Sequence, residues 1–362
     1  MKAAVLQEYK KPLVIQEVEV DEPGPREILV RTMAAGVCHS DLHIAEGDAP
    51  WPVPVVLGHE AAGVVEKVGS LVTRVKPGDH VVVCVTPFCG QCEKCLTGHM
   101  NLCQSPLTRR GPEDPPRLRW NGKPMGQFAG IGAFAEQMLV HENAAVAIPE
   151  DVPFEVAALL SCGVLTGVGA VFNRAKVQPG STVAVFGLGG VGIAVLQGAY
   201  LAGARRIIAV DILPQKLEMA KRFGATDVVN ASEVDPVEAI LQLTGEGVDY
   251  SFAVAGSAKV YRQCVDCLAP LGTATVIGLV PPGERLVLNP RQILWERAIQ
   301  GCIMGSNRFP VDIPRYLELY RQGRLKLDEM VSRKAGLESV NESFEWMRRG
   351  EVIRTVLTVG ER

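Results

Sequence analysis

Six residues, Gly187-Leu188-Gly189-Gly190-Val191-Gly192, restrict the fold of this chain more than any other stretch. G-x-G-x-x-G alone is a weak pattern. Here it follows the strand-like TVAVF, opens the helical VGIAVLQGAYLAG, and precedes Asp211 by nineteen residues counted from Gly192. That context describes a strand–turn–helix unit that holds a dinucleotide. Gly187 permits the tight turn, Gly189 lets the backbone approach a pyrophosphate, and Gly192 allows close helix–strand packing. The helix N-terminus, from Leu188 through Gly190 and Val191, offers N–H groups to the anion. Asp211 would accept hydrogen bonds from the adenosine ribose. A 2′-phosphate would meet like charge there, so NAD is expected over NADP.

The surrounding texture agrees. After residue 165, strands alternate with helices. STVAVFG, RRIIAVD, DVVN, VDYSFAVAG and TATVIGLV read as strands, with helices between them at PQKLEMAKRFG, Pro236–Leu243 and Ala258–Leu268. Asp235 and Glu238 are placed like a capping box. Such alternation predicts an α/β fold with a doubly wound parallel sheet. Before residue 165, short β-like runs are separated by Gly and Pro: MKAAVL, LVIQEVEV, EILVRTMAAGV, EAAGVVEKVG, DHVVVCV and FAEQMLV. Fifteen of the 24 prolines precede residue 155, which disfavours long helices there. The last 60 residues carry two helical patterns, Ile313–Gln322 and Val340–Arg348, then VIRTVLTVG. They are too few to bury a core alone. The expected division is a catalytic domain over 1–164, a nucleotide domain over 165–303, and a returning segment over 304–362. Gln104–Gln127 is Pro/Arg-rich without periodicity and predicts a surface loop.

At 47% hydrophobic and 21% charged, the chain is globular rather than disordered. Lys and Arg number 37 against 40 Asp and Glu, so nothing draws it to nucleic acid or anionic membrane. The first residues show no secretory signal. Two uncharged stretches, within 156–173 and 181–204, contain glycines and fit buried soluble segments better than membrane spans. A cytoplasmic protein is expected, with cysteines read as thiols or metal ligands rather than disulfides.

Cys89, Cys92, Cys95 and Cys103 form a C-x₂-C-x₂-C-x₇-C array. Four thiolates so close can enclose one tetrahedral Zn²⁺ and leave no open position, which is a structural site. Cys38, His59-Glu60 and Cys162 are dispersed, with the two cysteines 124 positions apart. Spacing does not bring them together, and each alone reads as a buried thiol or a satisfied histidine. Two thiolates, one imidazole and an open position nonetheless form the ligand set of a catalytic alcohol dehydrogenase zinc.

The chain resembles the zinc-dependent medium-chain alcohol dehydrogenases over essentially its whole length. The motifs are G-V-C-H-S-D-L-H (36–43), G-H-E-A-A-G-V-V (58–65), the four-cysteine lobe, S-C-G-V-L-T-G (161–167), G-L-G-G-V-G and I-R-T-V-L-T (353–358). The resemblance implies a GroES-like β-rich catalytic domain, a Rossmann NAD domain and two Zn²⁺ per chain. It implies that Cys38, His59 and Cys162 are the catalytic zinc ligands, with Glu60 behind the metal and Asp41 orienting the histidine. Ser40 and His43 match the proton relay. His39 and Arg354 match pyrophosphate contacts, Thr166 and Val191 residues near the nicotinamide, and Lys216 one near the adenosine ribose. The division of labour follows from magnitudes. Zinc lowers the pKa of bound water from about 15.7 to about 7. A similar effect on an alcohol is worth about 12 kcal/mol at about 1.4 per unit. A histidine base contributes roughly 3–5 kcal/mol. The metal therefore activates, and the relay moves the proton.

Positions matching the family's substrate pocket, Val85, Leu107, Phe128, Ala129, Leu279 and Ile303, are all apolar. Leu279 also falls at the cofactor. An uncharged alcohol or aldehyde is expected, with room for an aromatic, terpenoid or longer aliphatic group. A rival is the glutathione-dependent formaldehyde dehydrogenase, which needs a basic residue where Leu107 stands and an acidic one at Ala49; Arg109, Arg110 and Asp48 lie close by. The rival from another class is a non-catalytic NAD-binding protein of the same fold. The long 104–127 segment resembles that of dimeric members, so a homodimer is expected.

Overall fold

The computed structural model describes residues 1–111 and 113–360. They divide into two compact units. The first holds Met1–Gly163, Arg308–Tyr320 and Leu327–Arg362; the second holds Val164–Asn307 and Arg321–Lys326. The C-terminal segment therefore does not belong wholly to the first unit, because 304–307 and 321–326 lie with the second.

In the first unit, the eleven-residue strand Glu27–Val37 is the organising element. Apolar residues fill both of its faces, and all but Arg31 are buried. A strand so covered must find partners along its whole length. It pairs antiparallel with Glu60–Val68, Gln137–His141 and Arg354–Thr358. The sheet runs Ala145–Ala147, His80–Val83, Glu60–Val68, Glu27–Val37, Arg354–Thr358, Val331–Gly336. Val30, Val37, Leu57, Phe134 and Met138 are among the side chains of its core. Each fully buried chain of this size contributes about 1.5–3 kcal/mol.

The 104–127 segment departs from the loop expected there. It carries a hairpin, Leu118–Trp120 with Lys123–Gln127, which joins a second sheet through Glu19–Val20 and Val55–Val56. Leu118 and Met125 are the two buried side chains that attach it to a small core with Val5, Val18 and Val56. Leu118-Arg119-Trp120 alternates for three residues only, and Lys123 and Pro124 carry no pattern across the Asn121-Gly122 turn.

In the second unit, six parallel strands run in the order Asp227–Asn230, Arg206–Asp211, Thr182–Phe186, Val248–Ala253, Leu268–Val276, Ala298–Gly301. The order reverses beside Thr182–Phe186, and such a switch point is where open α/β sheets place ligands. Among the described residues, no helix is long and apolar enough to cross a membrane.

Candidate active site

Strand register assembles the first half of the site. Gly36 lies opposite Glu60, and Val37 lies opposite Thr355. Cys38 follows the first of these strands, His59 precedes the second, and Arg354 begins the third. All three strand ends therefore converge. Cys162 arrives after the helix Phe154–Leu159, which packs on the strands Glu27–Val37 and Glu60–Val68. Ser161 ties that arrival to the sheet, its Oγ accepting from the N–H of Ala61 at 3.0 Å and donating to the carbonyl of Ala158 at 2.8 Å. Nothing in the sequence gave Ser161 this role.

Ligand atoms of Cys38, His59, Glu60 and Cys162 lie within 4.8 Å of one another, and all four residues are buried. Asp41, in the helix His39–Glu46, is fully buried beside them. Its Oδ2 accepts from the N–H of Cys38 at 3.2 Å. Its Oδ1 accepts from the N–H of Gly58 and meets Nδ1 of His59, both at 3.0 Å. With Nδ1 engaged, Nε2 of His59 is left to act as a donor atom. Burial lowers the proton affinity of His59, but the charges of Asp41 and Cys38 outweigh it and hold its pKa well above the usual value. A hydrogen bond from the Cys162 thiol, together with the charges of Arg354 and His59, holds the Cys38 thiol well below its usual range despite burial. Burial pushes Glu60 up to about 7, with Arg354 opposing. Oε2 of Glu60 is buried without a partner among the described residues. Such a donor set is costly without a cation and suits one with an open position.

Ser40 Oγ is 3.9 Å from Cys38 Sγ, at the edge of this cluster. His43 lies one turn along the same helix, its ring centroid 6.4 Å from that of the exposed His39. Arg354 is buried, donating to Glu60 Oε1 at 2.8 Å and to the Val37 carbonyl at 3.4 Å. Phe128 stands edge-on to the His59 ring at 5.3 Å and meets Trp51 edge-to-face at 5.2 Å. Trp51, an aromatic residue between two prolines, gives no periodic signal in the sequence. Val85 is partly buried against the same core as Phe128, Ala129 has φ +54°, and Leu107 is exposed on the turn Pro106–Thr108.

The four-cysteine lobe is compact. Sulfur separations are 3.9 Å for Cys89–Cys95, 3.5 Å for Cys92–Cys95 and 3.8 Å for Cys92–Cys103. Four sulfurs about 2.3 Å from one tetrahedral Zn²⁺ would stand about 3.8 Å apart. Hydrogen bonds from the backbone N–H of Gln91 and Cys92 favour the Cys89 thiolate, whose pKa falls to about 6.

In the second unit, Gly187 has φ +96°. A Cβ on Gly192 would come within 1.9 Å of the Gly187 carbonyl oxygen, so that helix and strand touch through bare backbone. Nothing stands within 4 Å of where a Cβ of Gly189 would be, and Gly189 caps the helix Gly190–Leu201. Asp211 ends its strand and accepts from the N–H groups of Leu188 at 2.8 Å, Ile212 at 2.8 Å and Leu213 at 3.1 Å. Lys216 is half-buried on the helix Pro214–Ala220 that follows. Thr166 is buried, its Oγ1 3.6 Å from Met304 Sδ, and Val191 is half-buried on the turn's helix. Leu279 and Ile303 are both more than half exposed on this unit.

A parallel-sheet unit with a phosphate-type glycine turn, and a β-rich unit with a buried two-thiol, one-imidazole donor set, together define a metal-dependent dehydrogenase. Comparison with known proteins carries this further. The Alcohol dehydrogenase GroES-like domain family matches residues 24–150, and the Zinc-binding dehydrogenase family matches residues 190–321. An alcohol dehydrogenase zinc-binding domain protein from Burkholderia ambifaria is 36% identical, with a TM-score of 0.94 and 99% of each chain covered. Benzyl alcohol dehydrogenase from Acinetobacter calcoaceticus is 34% identical, with the same score and coverage. A zinc-binding dehydrogenase from Sinorhizobium meliloti bound to NADP is 30% identical, with a TM-score of 0.82 over 99% of this chain and 98% of that one. The chain belongs to the zinc-dependent alcohol dehydrogenases of the medium-chain dehydrogenase/reductase superfamily. It is an oxidoreductase of the kind that works with zinc and a nicotinamide cofactor.

Proposed function

We propose that this chain is an NAD-dependent alcohol dehydrogenase. In this reading it carries two Zn²⁺ and exchanges hydride reversibly with an uncharged, apolar primary or secondary alcohol, aromatic alcohols foremost. The observation that carries it is the buried cluster of Cys38, His59 and Cys162, beside a Glu60 oxygen that has no partner among the described residues. Zinc held by those three residues supplies the Lewis acidity that lowers the pKa of an alcohol hydroxyl. The chain's own residues do the rest. Asp41 fixes the His59 tautomer, Ser40 takes the alcohol proton at Oγ, and His43 carries it onward. The 89–103 lobe holds the second, structural ion.

The choice of NAD rests on Asp211, whose carboxylate would repel a 2′-phosphate. The edge-on pair Phe128–Trp51 beside His59 offers an aromatic wall, and the benzyl alcohol dehydrogenase likeness agrees with it. The glutathione adduct is disfavoured because Arg110 is already committed to Glu27, Asp21 and two carbonyls. A non-catalytic role is disfavoured by the complete donor set. A homodimer is supported by the edge strand Ala298–Gly301, which has a single strand neighbour and lies beside exposed Leu271, Leu294, Trp295 and Ile299. A reducing, cytoplasmic setting suits thiols that serve as ligands.

The test is a panel of alcohols assayed with NAD and with NADP, alongside formaldehyde with glutathione. NADH formation from aromatic alcohols supports the reading. Activity restricted to formaldehyde plus glutathione, or to NADP, contradicts it.

A further inference from the structure

Asp48 stands just past the helix that carries Ser40 and His43. The helix His39–Glu46 ends at Gly47, with φ +81°, and the chain folds back so that the N–H groups of Asp48 and Ala49 both donate to the His43 carbonyl, at 2.9 and 3.2 Å. This turn brings Oδ2 of Asp48 to 3.5 Å from Nδ1 of His43. The His43 side chain is 34% exposed and that of Asp48 51%. Asp48 also lines a surface cavity of about 550 Å³ with Lys10, Lys11, Glu46, Glu345 and Arg348. Glu46 and Glu345 are both paired with Arg348. On the other side of His43, the facing titratable group is His39. Asp48 is therefore the carboxylate that His43 meets among the described residues.

We propose that Asp48 is a positioning residue for the proton relay, acting through His43. An anion at Nδ1 keeps the ring proton there, leaves Nε2 as the acceptor, and stabilises the imidazolium formed when the relay delivers a proton. The alcohol O–H bond breaks, an N–H bond forms at Nε2, and the imidazolium later gives one proton to solvent on its exposed side. Asp48 keeps its charge throughout. The inference rests on the relay reading above, and the test separates the two.

Zinc-loaded enzyme labelled at the histidine ring nitrogens gives signals from only six histidines, and His43→Gln identifies one ring among them. The nitrogen shifts of that ring should report the Nδ1–H tautomer in the wild type and a mixture of both tautomers in Asp48→Asn. Turnover should fall about two- to five-fold, because fewer rings present Nε2 as the acceptor. Asp48→Glu should restore both. A His43 tautomer unchanged in Asp48→Asn, in protein that keeps its zinc, overturns the role of Asp48. A His43→Gln variant with unaltered turnover and pH profile overturns the relay itself, and this inference with it.

Discussion

Arg354 donates from Nη2 to Oε1 of Glu60 at 2.8 Å, and both side chains are buried. The carboxylate thus has one oxygen committed to a guanidinium and the other, Oε2, without a partner among the described residues. A buried anion so arranged is stable only with further positive charge nearby. The thiol pair and His59 beside it supply the site for that charge. Arg354 and the metal site are therefore one electrostatic unit, with Glu60 as its hinge.

Gly36 is the residue that admits Glu60 to this position. It faces Glu60 across the strand pair, and a Cβ there would come within 2.3 Å of Oε2. Gly36→Ala should displace the carboxylate and lower kcat about ten- to a hundred-fold, as loss of an outer-shell partner does. The steric cost to the fold should be about 1–3 kcal/mol. Kinetics, zinc content and chemical unfolding on one preparation check this; a variant with wild-type kcat would show that Glu60 has no part in turnover.

Glu27 anchors the 104–127 segment through Arg110 and Arg117, at 2.6 and 2.8 Å. Burial raises its pKa, but the Arg110 hydrogen bond, the Arg117 charge and the Gly24 N–H outweigh burial and hold it below the usual value of 4.5. Its folded pKa is depressed, so its stabilisation is present above pH 4.5 and is lost as pH falls through the lower folded value. Glu27→Gln should cost about 2 kcal/mol at neutral pH. That penalty should shrink as the medium is made acidic. Urea unfolding of both proteins across pH tests it, and a pH-independent penalty would mean that shape rather than charge holds the loop.

Asp211 joins the glycine turn to the cofactor choice, since the same carboxylate that accepts from Leu188 N–H is the one a 2′-phosphate would meet. Asp211→Ala should raise KM for NAD by about ten-fold or more, on the order of 1.4 kcal/mol or above. KM for NADP should rise less or fall. Parallel titrations with both cofactors measure this. A proportional loss with each would assign Asp211 to holding the turn alone.

The parts of the molecule legible in sequence were those written contiguously. The glycine turn and its strand and helix lie within one short run, and the four cysteines lie within fifteen residues. Their geometry follows from local chain constraints. Only family resemblance joins Cys38, His59 and Cys162 in the sequence, because strand register brings the first two together and a helix packed on the sheet delivers the third. Ser161 and Asp48 stand in or beside legible motifs, but their contacts with Ala61 and His43 give no sign in the sequence, since a fold across the sheet or a turn makes each of them. The Leu118–Gln127 hairpin is faint for a related reason: Leu118, Trp120 and Met125 attach it, three apolar residues make no period, and its one local mark is the Asn121-Gly122 turn. The resemblance gives Arg354 a phosphate contact, and its bond to Glu60, 294 positions away, leaves no mark in the sequence.

The central claim is that Cys38, His59 and Cys162 hold a zinc ion on which alcohol oxidation depends, apart from the ion held by the four-cysteine lobe. Zinc content per chain, measured with NADH formation from benzyl alcohol on wild type and Cys38→Ala, tests it most directly. The account predicts two zinc ions with turnover in the wild type, and one with no turnover in the folded variant. A Cys38→Ala protein that retains two ions, or that still oxidises the alcohol at a comparable rate, would contradict it.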